Sequence, residues 1–170
     1  MKEYEKILKK YPKKGDVHFQ IVDNNTIILC CAYYGSKYTV CDVNEFIEFR
    51  ESEGYKLRSF DNILTLFNLT GHEKEISNPI EFIASLDLKE RRLLRYEISK
   101  NKYVCLNPIY LKKVSAKGLR LYTQFKNKKD GVSSVGFVYL VDDNNEVKAV
   151  ICPVIVGNIL KEIERVTKND

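Results

Sequence analysis

Metal ligands and catalytic motifs are scarce in this chain. His18 and His72 are its two histidines, and no pair of its five cysteines has the CxxC spacing of zinc sites. A zinc site would need scattered ligands, so we expect no metal. No GxxxxGKS, GxxxxGKT or GxGxxG loop is present to cradle a phosphate, and no GxSxG nucleophile elbow occurs. We therefore predict a protein that is not an enzyme and holds no cofactor.

Long hydrophobic runs are absent too. No apolar run reaches the roughly 20 residues of a membrane-spanning helix. Residues 1–14 are basic and lack the apolar core of a secretory signal. We expect a cytoplasmic protein with no membrane partner. The cysteines lie in apolar, strand-like runs, which is typical of buried free thiols in a reducing compartment. They are Cys30, Cys31, Cys41, Cys105 and Cys152.

Length and composition are those of an ordinary globular protein. The chain has 170 residues, of which 44% are hydrophobic and 30% charged, enough for one domain with its own core. The net charge of +5 permits contact with nucleic acid or an acidic partner without requiring either.

Hydrophobic spacing predicts the elements of the first half. Tyr4, Ile7, Leu8 and Tyr11 stand at helical spacing within residues 2–11. Antiparallel strands are predicted next, at 17–22, 26–34 and 37–43, with turns at Asp23-Asn24-Asn25 and Gly35-Ser36. Residues 44–101 are predicted as a helical insertion. Its expected elements are a helix at 45–53 capped by Asn44, a strand at 55–60, helices at 62–69 and 79–86, and a helix or strand at 87–99.

The last third repeats this kind of pattern. Asn107 and Pro108 mark a helix start. The predicted order is a strand at 102–106, a helix at 108–116, a strand at 119–125, a hairpin of 132–141 with 146–156, and a closing helix at 159–166. The fold class we expect is α+β, a single domain over 1–170 built of antiparallel hairpins with helices packed on one face.

The two ends of the chain are alike. A basic helix followed by an Asp/Asn hairpin and an apolar return strand opens the chain and also closes it, which suggests a duplicated unit; chance similarity between two hairpins is the alternative. Both helices carry lysines opposite their apolar side, and together these lysines are candidates for contacting one phosphate backbone. They are Lys6, Lys9, Lys10, Lys13, Lys14, Lys112, Lys113 and Lys117. The alternative is an ordinary solvated lysine surface.

One short stretch has the residue types of a metal-dependent nuclease. Asp142 and Asp143 precede Glu146-Val147-Lys148, which is similar to the PD-(D/E)xK pattern, in which carboxylates hold magnesium and a lysine supports the attacking water. The aspartates lie in the turn itself, whereas the pattern places them on a separate strand end. A solvated hairpin tip is the competing interpretation.

Residues 107–114, with the sequence NPIYLKKV, resemble the helix start in the last domain of bacterial DNA sliding clamps, the polymerase III beta-subunit family. Residues 150–156, VICPVIV, are similar to the hydrophobic-Pro-hydrophobic end of those clamps. The similarity covers 1–43 and 102–156. It implies a duplicated helix-and-strand domain whose basic helices face duplex DNA, without catalytic residues. The chain departs from the family by having room for one domain, a longer centre and an extension past Pro153.

Two functions follow as expectations. The first is a non-enzymatic, clamp-like accessory protein of DNA replication, encoded by a phage or mobile element, that binds duplex DNA through the lysines. The second is a protein-interaction module, an inhibitor or adaptor acting on a host complex through aromatic strand residues, Tyr33, Tyr34 and Tyr38. Several copies would be needed to encircle DNA, so a homo-oligomer fits the first function.

Overall fold

The computed structural model describes residues 2–86, 88–127 and 133–154. Its α-helices are α1 (Lys2–Leu8), α2 (Val43–Ser52) and α3 (Pro108–Val114), and Leu64–Phe67 forms a 3-10 turn. The strands are β1 (Val17–Ile21), β2 (Thr26–Cys30), β3 (Tyr34–Thr39), β4 (Leu57–Ser59), β5 (Lys74–Ile76), β6 (Ile80–Leu86), β7 (Lys89–Ser99), β8 (Lys102–Leu106), β9 (Arg120–Thr123), β10 (Phe125–Asn127), β11 (Ser133–Val135), β12 (Val138–Val141) and β13 (Val147–Ile151).

The largest sheet has eight strands in the order β4-β1-β2-β3-β13-β12-β9-β5 among the described residues. Neighbours are antiparallel except β1 and β4. At its centre β3 pairs with β13, with Tyr34 opposite Ile151 and Ser36 opposite Ala149. The first three strands therefore meet the last strands of the chain. The predicted combination of helices with a mostly antiparallel sheet is therefore confirmed.

The two faces of this sheet are covered differently. Ile27 and Leu29 belong to one face, which packs in the main core with buried residues of α1, α2 and α3. Ile28 points to the other face, where Ile63, just before the 3-10 turn, and Phe67 within it cover it. This alternation follows from the two-residue repeat of a strand. The helices thus share one face of the sheet.

The predicted helix at 79–86 is wrong. These residues form β6, which pairs with β7 from Ile80 opposite Arg95 to Leu86 opposite Lys89, and β7 pairs in turn with β8. Burial alternates along β6, because Ala84 is buried while Ile83 is exposed. Within the range 62–69, where an α-helix is predicted, the structure has only a 3-10 turn, Leu64–Phe67. The segment 44–101 is therefore a mixture of strands and short helices.

Gly35 and Ser36 were predicted to form a turn but lie inside β3. A Cβ on Gly35 would stand 2.2 Å from Sγ of Cys30 on the neighbouring strand. The glycine leaves room for the Cys30 side chain, and the chain reverses earlier, where the Cys31 amide donates to the Tyr34 carbonyl.

The helix caps show one correction. Asp42, instead of Asn44, caps α2 by accepting a hydrogen bond from the Glu45 amide at 2.9 Å. The predicted cap of α3 is confirmed, since the Asn107 side chain accepts from the Ile109 amide at 2.9 Å. The closing helix predicted at 159–166 lies outside the described residues.

Candidate nucleic-acid interface

Helix α1 presents lysines to solvent because its other side is buried. Tyr4, Ile7 and Leu8 lie in the core, at the i, i+3 and i+4 positions that share one helical face. Lys6 on the helix and Lys9 just after its end are consequently exposed. The chain then turns with Tyr11 buried, and the next lysines, Lys13 and Lys14, are exposed in the loop that follows.

Helix α3 carries the second basic group. Asn107 caps it, Pro108 occupies its first turn, and Val114 anchors its end in the core. Lys112 and Lys117 are exposed, and Lys113 is half-buried. No acidic residue occurs between 108 and 118. The positive charge of this helix is therefore not offset by its own carboxylates.

Four tyrosines lie between the two groups of lysines. They are Tyr11, Tyr34, Tyr38 and Tyr110, and we call them the tyrosine cluster. The Tyr34 hydroxyl donates a hydrogen bond to the Lys10 carbonyl at the end of α1. The Tyr34 ring also packs on Tyr110 of α3, with 5.5 Å between ring centroids. Tyr34 thus contacts helix α3 and the residues just after α1, so the two groups of lysines converge on one region of the same sheet face.

Hydrogen bonds hold the cluster together. The Tyr11 hydroxyl donates to the Leu29 carbonyl at 3.2 Å and lies 2.8 Å from the Tyr38 hydroxyl. Rings of Tyr11 and Tyr34 are 5.4 Å apart, which is within the range of favourable aromatic pairs. Hydrogen bonds and ring contacts therefore connect the residue Tyr11, which follows α1, to strands β2 and β3.

Three of the candidate lysines have their ammonium groups over aromatic rings. Lys10 is 5.5 Å from the Tyr38 ring centroid, and Lys113 is 5.9 Å from that of Tyr34. Lys13 stands 5.4 Å from the Tyr55 ring. Such contacts attract the ammonium group to the face of the ring. The cluster thereby positions one lysine from each basic group.

The buried tyrosine hydroxyls add no negative charge to this surface. Burial raises the pKa of the Tyr38 hydroxyl to about 12 and also raises the pKa values of the Tyr11 and Tyr34 hydroxyls above their usual range, so these tyrosines carry no charge at neutral pH. Within the described parts of the chain, ion pairs involve Lys37, Arg92 and Lys148, and none involves the eight candidate lysines. Their charge is available to an anionic partner.

The three tyrosines predicted as a partner surface occupy different environments. Tyr34 is buried and Tyr38 half-buried within the cluster. Tyr33 is 54% exposed and stacks on Tyr110 with 4.9 Å between centroids and 8° between ring planes. Tyr33 therefore presents the accessible aromatic surface of the three.

Tyr33 lines a groove of about 360 Å³, here called the Tyr33 groove. Leu93 and Pro153 give it an apolar wall, while the exposed Arg91 supplies a positive charge. Sequence reasoning did not single out Arg91 or Tyr110. Tyr110 belongs to the stretch NPIYLKKV, but its contact with Tyr33 depends on strand pairing that the local sequence does not reveal.

The nuclease-like residues do come together at the tip of the β12–β13 hairpin. Lys148 Nζ lies 3.9 Å from Asp142 and 3.2 Å from Glu146. Asp142 already accepts hydrogen bonds from the amides of Asn144 and Glu146, as a turn residue does. Among the residues that the structure describes, no group of three or more His, Cys, Asp or Glu could hold a metal ion. The arrangement matches a hairpin tip with paired charges.

Comparison with protein-family models, with curated proteins and with solved structures finds no match for this chain. Across the described ranges, no helix has both the length and the apolar character needed to cross a membrane. The functional conclusions below therefore depend on the residues and contacts of the chain itself.

Proposed function

We propose that this protein is a non-enzymatic, clamp-like accessory protein that binds duplex DNA without sequence preference. The observation that carries the proposal is the convergence of two basic groups on Tyr34, which contacts the end of α1 and the Tyr110 ring of α3. Lysines arranged on two helix ends can contact successive phosphates of one duplex. A cytoplasmic protein that acts together with replication proteins would be consistent with this activity.

The order of strands supports a duplicated clamp-like unit. Helix α1 precedes β1, β2 and β3, and α3 precedes β9, β12 and β13. In the main sheet these two sets lie in mirrored order about the β3–β13 contact. Each half thus has one helix with lysines on it or just after it and three antiparallel strands, which is the kind of arrangement that the resemblance to sliding clamps implies.

Charge reversal tests the proposal. A variant with Lys9→Glu, Lys10→Glu, Lys112→Glu and Lys113→Glu should lose most affinity for duplex DNA, because each phosphate contact releases a counterion on binding. Losing four contacts should reduce the slope of log affinity against log salt by as much as about 3.5. Fluorescence anisotropy with two unrelated DNA sequences at several salt concentrations measures both quantities.

A matched control distinguishes the effect of where the reversed lysines lie from the effect of the change in net charge. Lys56, Lys74, Lys89 and Lys100 are exposed lysines on other elements, and reversing them changes net charge equally. We expect this control to retain most of the salt slope. Because Lys10 and Lys113 contact the tyrosine cluster, a variant with glutamine at the exposed Lys6, Lys9, Lys112 and Lys117 tests the same surface without disturbing packing. Equal DNA binding by wild type and both interface variants would refute the proposal.

A protein-interaction module is the second candidate, and the Tyr33 groove favours it. An exposed aromatic ring beside an apolar wall and one arginine is typical of protein interfaces. An inhibitor or adaptor acting on a host complex would use this surface. Isolation of one stable protein partner that is lost with Tyr33→Ala, together with no DNA affinity in wild type, would place this function first.

A further inference from the structure

Strand β6 forms an outer edge of the small sheet. Among the described residues it pairs with β7 on one side, and the sheet order is β6-β7-β8. Its outer backbone N–H and C=O groups can therefore accept another strand. Two large apolar side chains are exposed along it, Ile80 at 56% and Ile83 at 65%, on opposite faces of the strand.

This edge lacks the usual protection against strand pairing. Natural edge strands carry lysines, prolines or bulges that prevent association. Glu81 is the one charged residue in the seven of β6, and its carboxylate is paired with Arg92 at 2.8 Å. The β6–β7 register runs without a bulge from end to end. Pro79 precedes the strand, so no proline interrupts the seven residues of β6.

We propose that β6 pairs antiparallel with β6 of a second copy of this chain, about a two-fold axis at Ile83. This register overlaps all seven residues of the strand. It places Ile83 against Ile83 of the second copy and Glu81 against Ser85, so the two glutamates are kept apart. A register centred on Glu81 would oppose like charges and shorten the overlap. In this register the edge pairs apolar residues with each other and keeps the like charges apart.

The resulting dimer would join two small sheets into one of six strands. Pairing would satisfy backbone groups and cover Ile83 on both copies. The inference rests on β6 alone and goes beyond the proposed DNA binding, since none of the candidate lysines lies on this strand. Loss of dimer formation and loss of DNA binding would therefore be separate results.

Analytical ultracentrifugation over a range of concentrations tests the dimer. Wild type should shift from the monomer mass to the dimer mass as concentration rises. Ile83→Lys should remain at the monomer mass, because two lysines would meet on the axis. Leu66→Lys is the control, since Leu66 is 41% exposed on the 3-10 turn, and it should dimerise as wild type does. A monomeric wild type, or equal dimerisation of Ile83→Lys, would overturn the proposal.

Cross-linking tests the register. Ile83→Cys, in a background with the exposed Cys41 changed to serine, should give a disulfide-linked dimer under mild oxidation. Residues opposite each other on antiparallel strands have Cα atoms about 4.5–5.5 Å apart, which a disulfide can span. Ser85→Cys is the matched control, because its two copies would lie about 14 Å apart along the strands. Cross-linking at 85 instead of 83, on non-reducing gels, would contradict the proposed axis.

Discussion

Gly35 lies opposite Cys30 on the neighbouring strand of the main sheet, where there is no room for a side chain. Its missing side chain leaves room for Cys30 Sγ, which would be 2.2 Å from a Cβ at this position. Gly35→Ala should therefore destabilise the fold by about 1–3 kcal/mol, the usual cost of overpacking a core. Urea unfolding followed by circular dichroism measures the loss.

The neighbouring cysteine provides the control for this prediction. Cys30→Ala removes the sulfur, so the double variant with Gly35→Ala should be less destabilised than the sum of the two single changes. The Leu29 carbonyl, 3.0 Å from the added Cβ, would keep recovery incomplete. Strict additivity of the two changes would show that the sulfur is not the obstacle.

Single residues show what local sequence predicts well and what it does not. Asn107 was predicted as a cap because its chemistry and the following proline act within one turn. Gly35 was read as a turn because glycine and serine favour turns locally. Its actual role depends on Cys30 across the sheet, and a contact of that kind has no signature in neighbouring residues.

At the scale of the element, helix α3 depends on its cap. Asn107→Ala removes the acceptor for the Ile109 amide and should cost about 1 kcal/mol of folding stability. Because α3 carries Lys112 and Lys113, duplex DNA affinity should also fall modestly. Asn107→Asp retains the acceptor and should restore stability in urea unfolding. Equal stability of the alanine and aspartate variants would rule out the cap as the cause.

Strand β6 shows why an element's type can be mistaken. Ile80, Ile83 and Leu86 recur at three-residue spacing, and Pro79 is acceptable in a first helical turn. The same residues also suit a strand once β7 is available as a partner. Short apolar runs are ambiguous in this way, and the ambiguity is resolved by a distant segment. Lys6 and Lys112 were easier to place, since the exposed faces of α1 and α3 are set locally.

For the whole molecule, the buried tyrosines limit the free energy of unfolding at alkaline pH. The pKa of Tyr38 is raised from 10.0 to about 12 by burial, so the folded state favours the neutral phenol. Stability should be unaffected below the ordinary tyrosine pKa of about 10 and should fall as pH rises toward about 12. Urea unfolding at a series of alkaline pH values measures this decrease.

Phenylalanine at both Tyr11 and Tyr38 tests the cause. The pair share a hydrogen bond at 2.8 Å, so changing both avoids leaving one hydroxyl unpaired. The double variant should lose less stability between neutral and alkaline pH than wild type does. A decrease as steep as that of wild type would assign the effect to other groups.

The β3–β13 contact at the centre of the main sheet has a consequence for folding kinetics. Ser36 donates a hydrogen bond to the Lys148 carbonyl, 112 positions along the chain. Contacts of such high sequence separation carry a large loop-closure cost and slow the search for the native topology. During synthesis β3 keeps an open edge until β13 leaves the ribosome. The nascent chain therefore spends most of its translation with half a sheet, and it is then most exposed to aggregation and most dependent on chaperones.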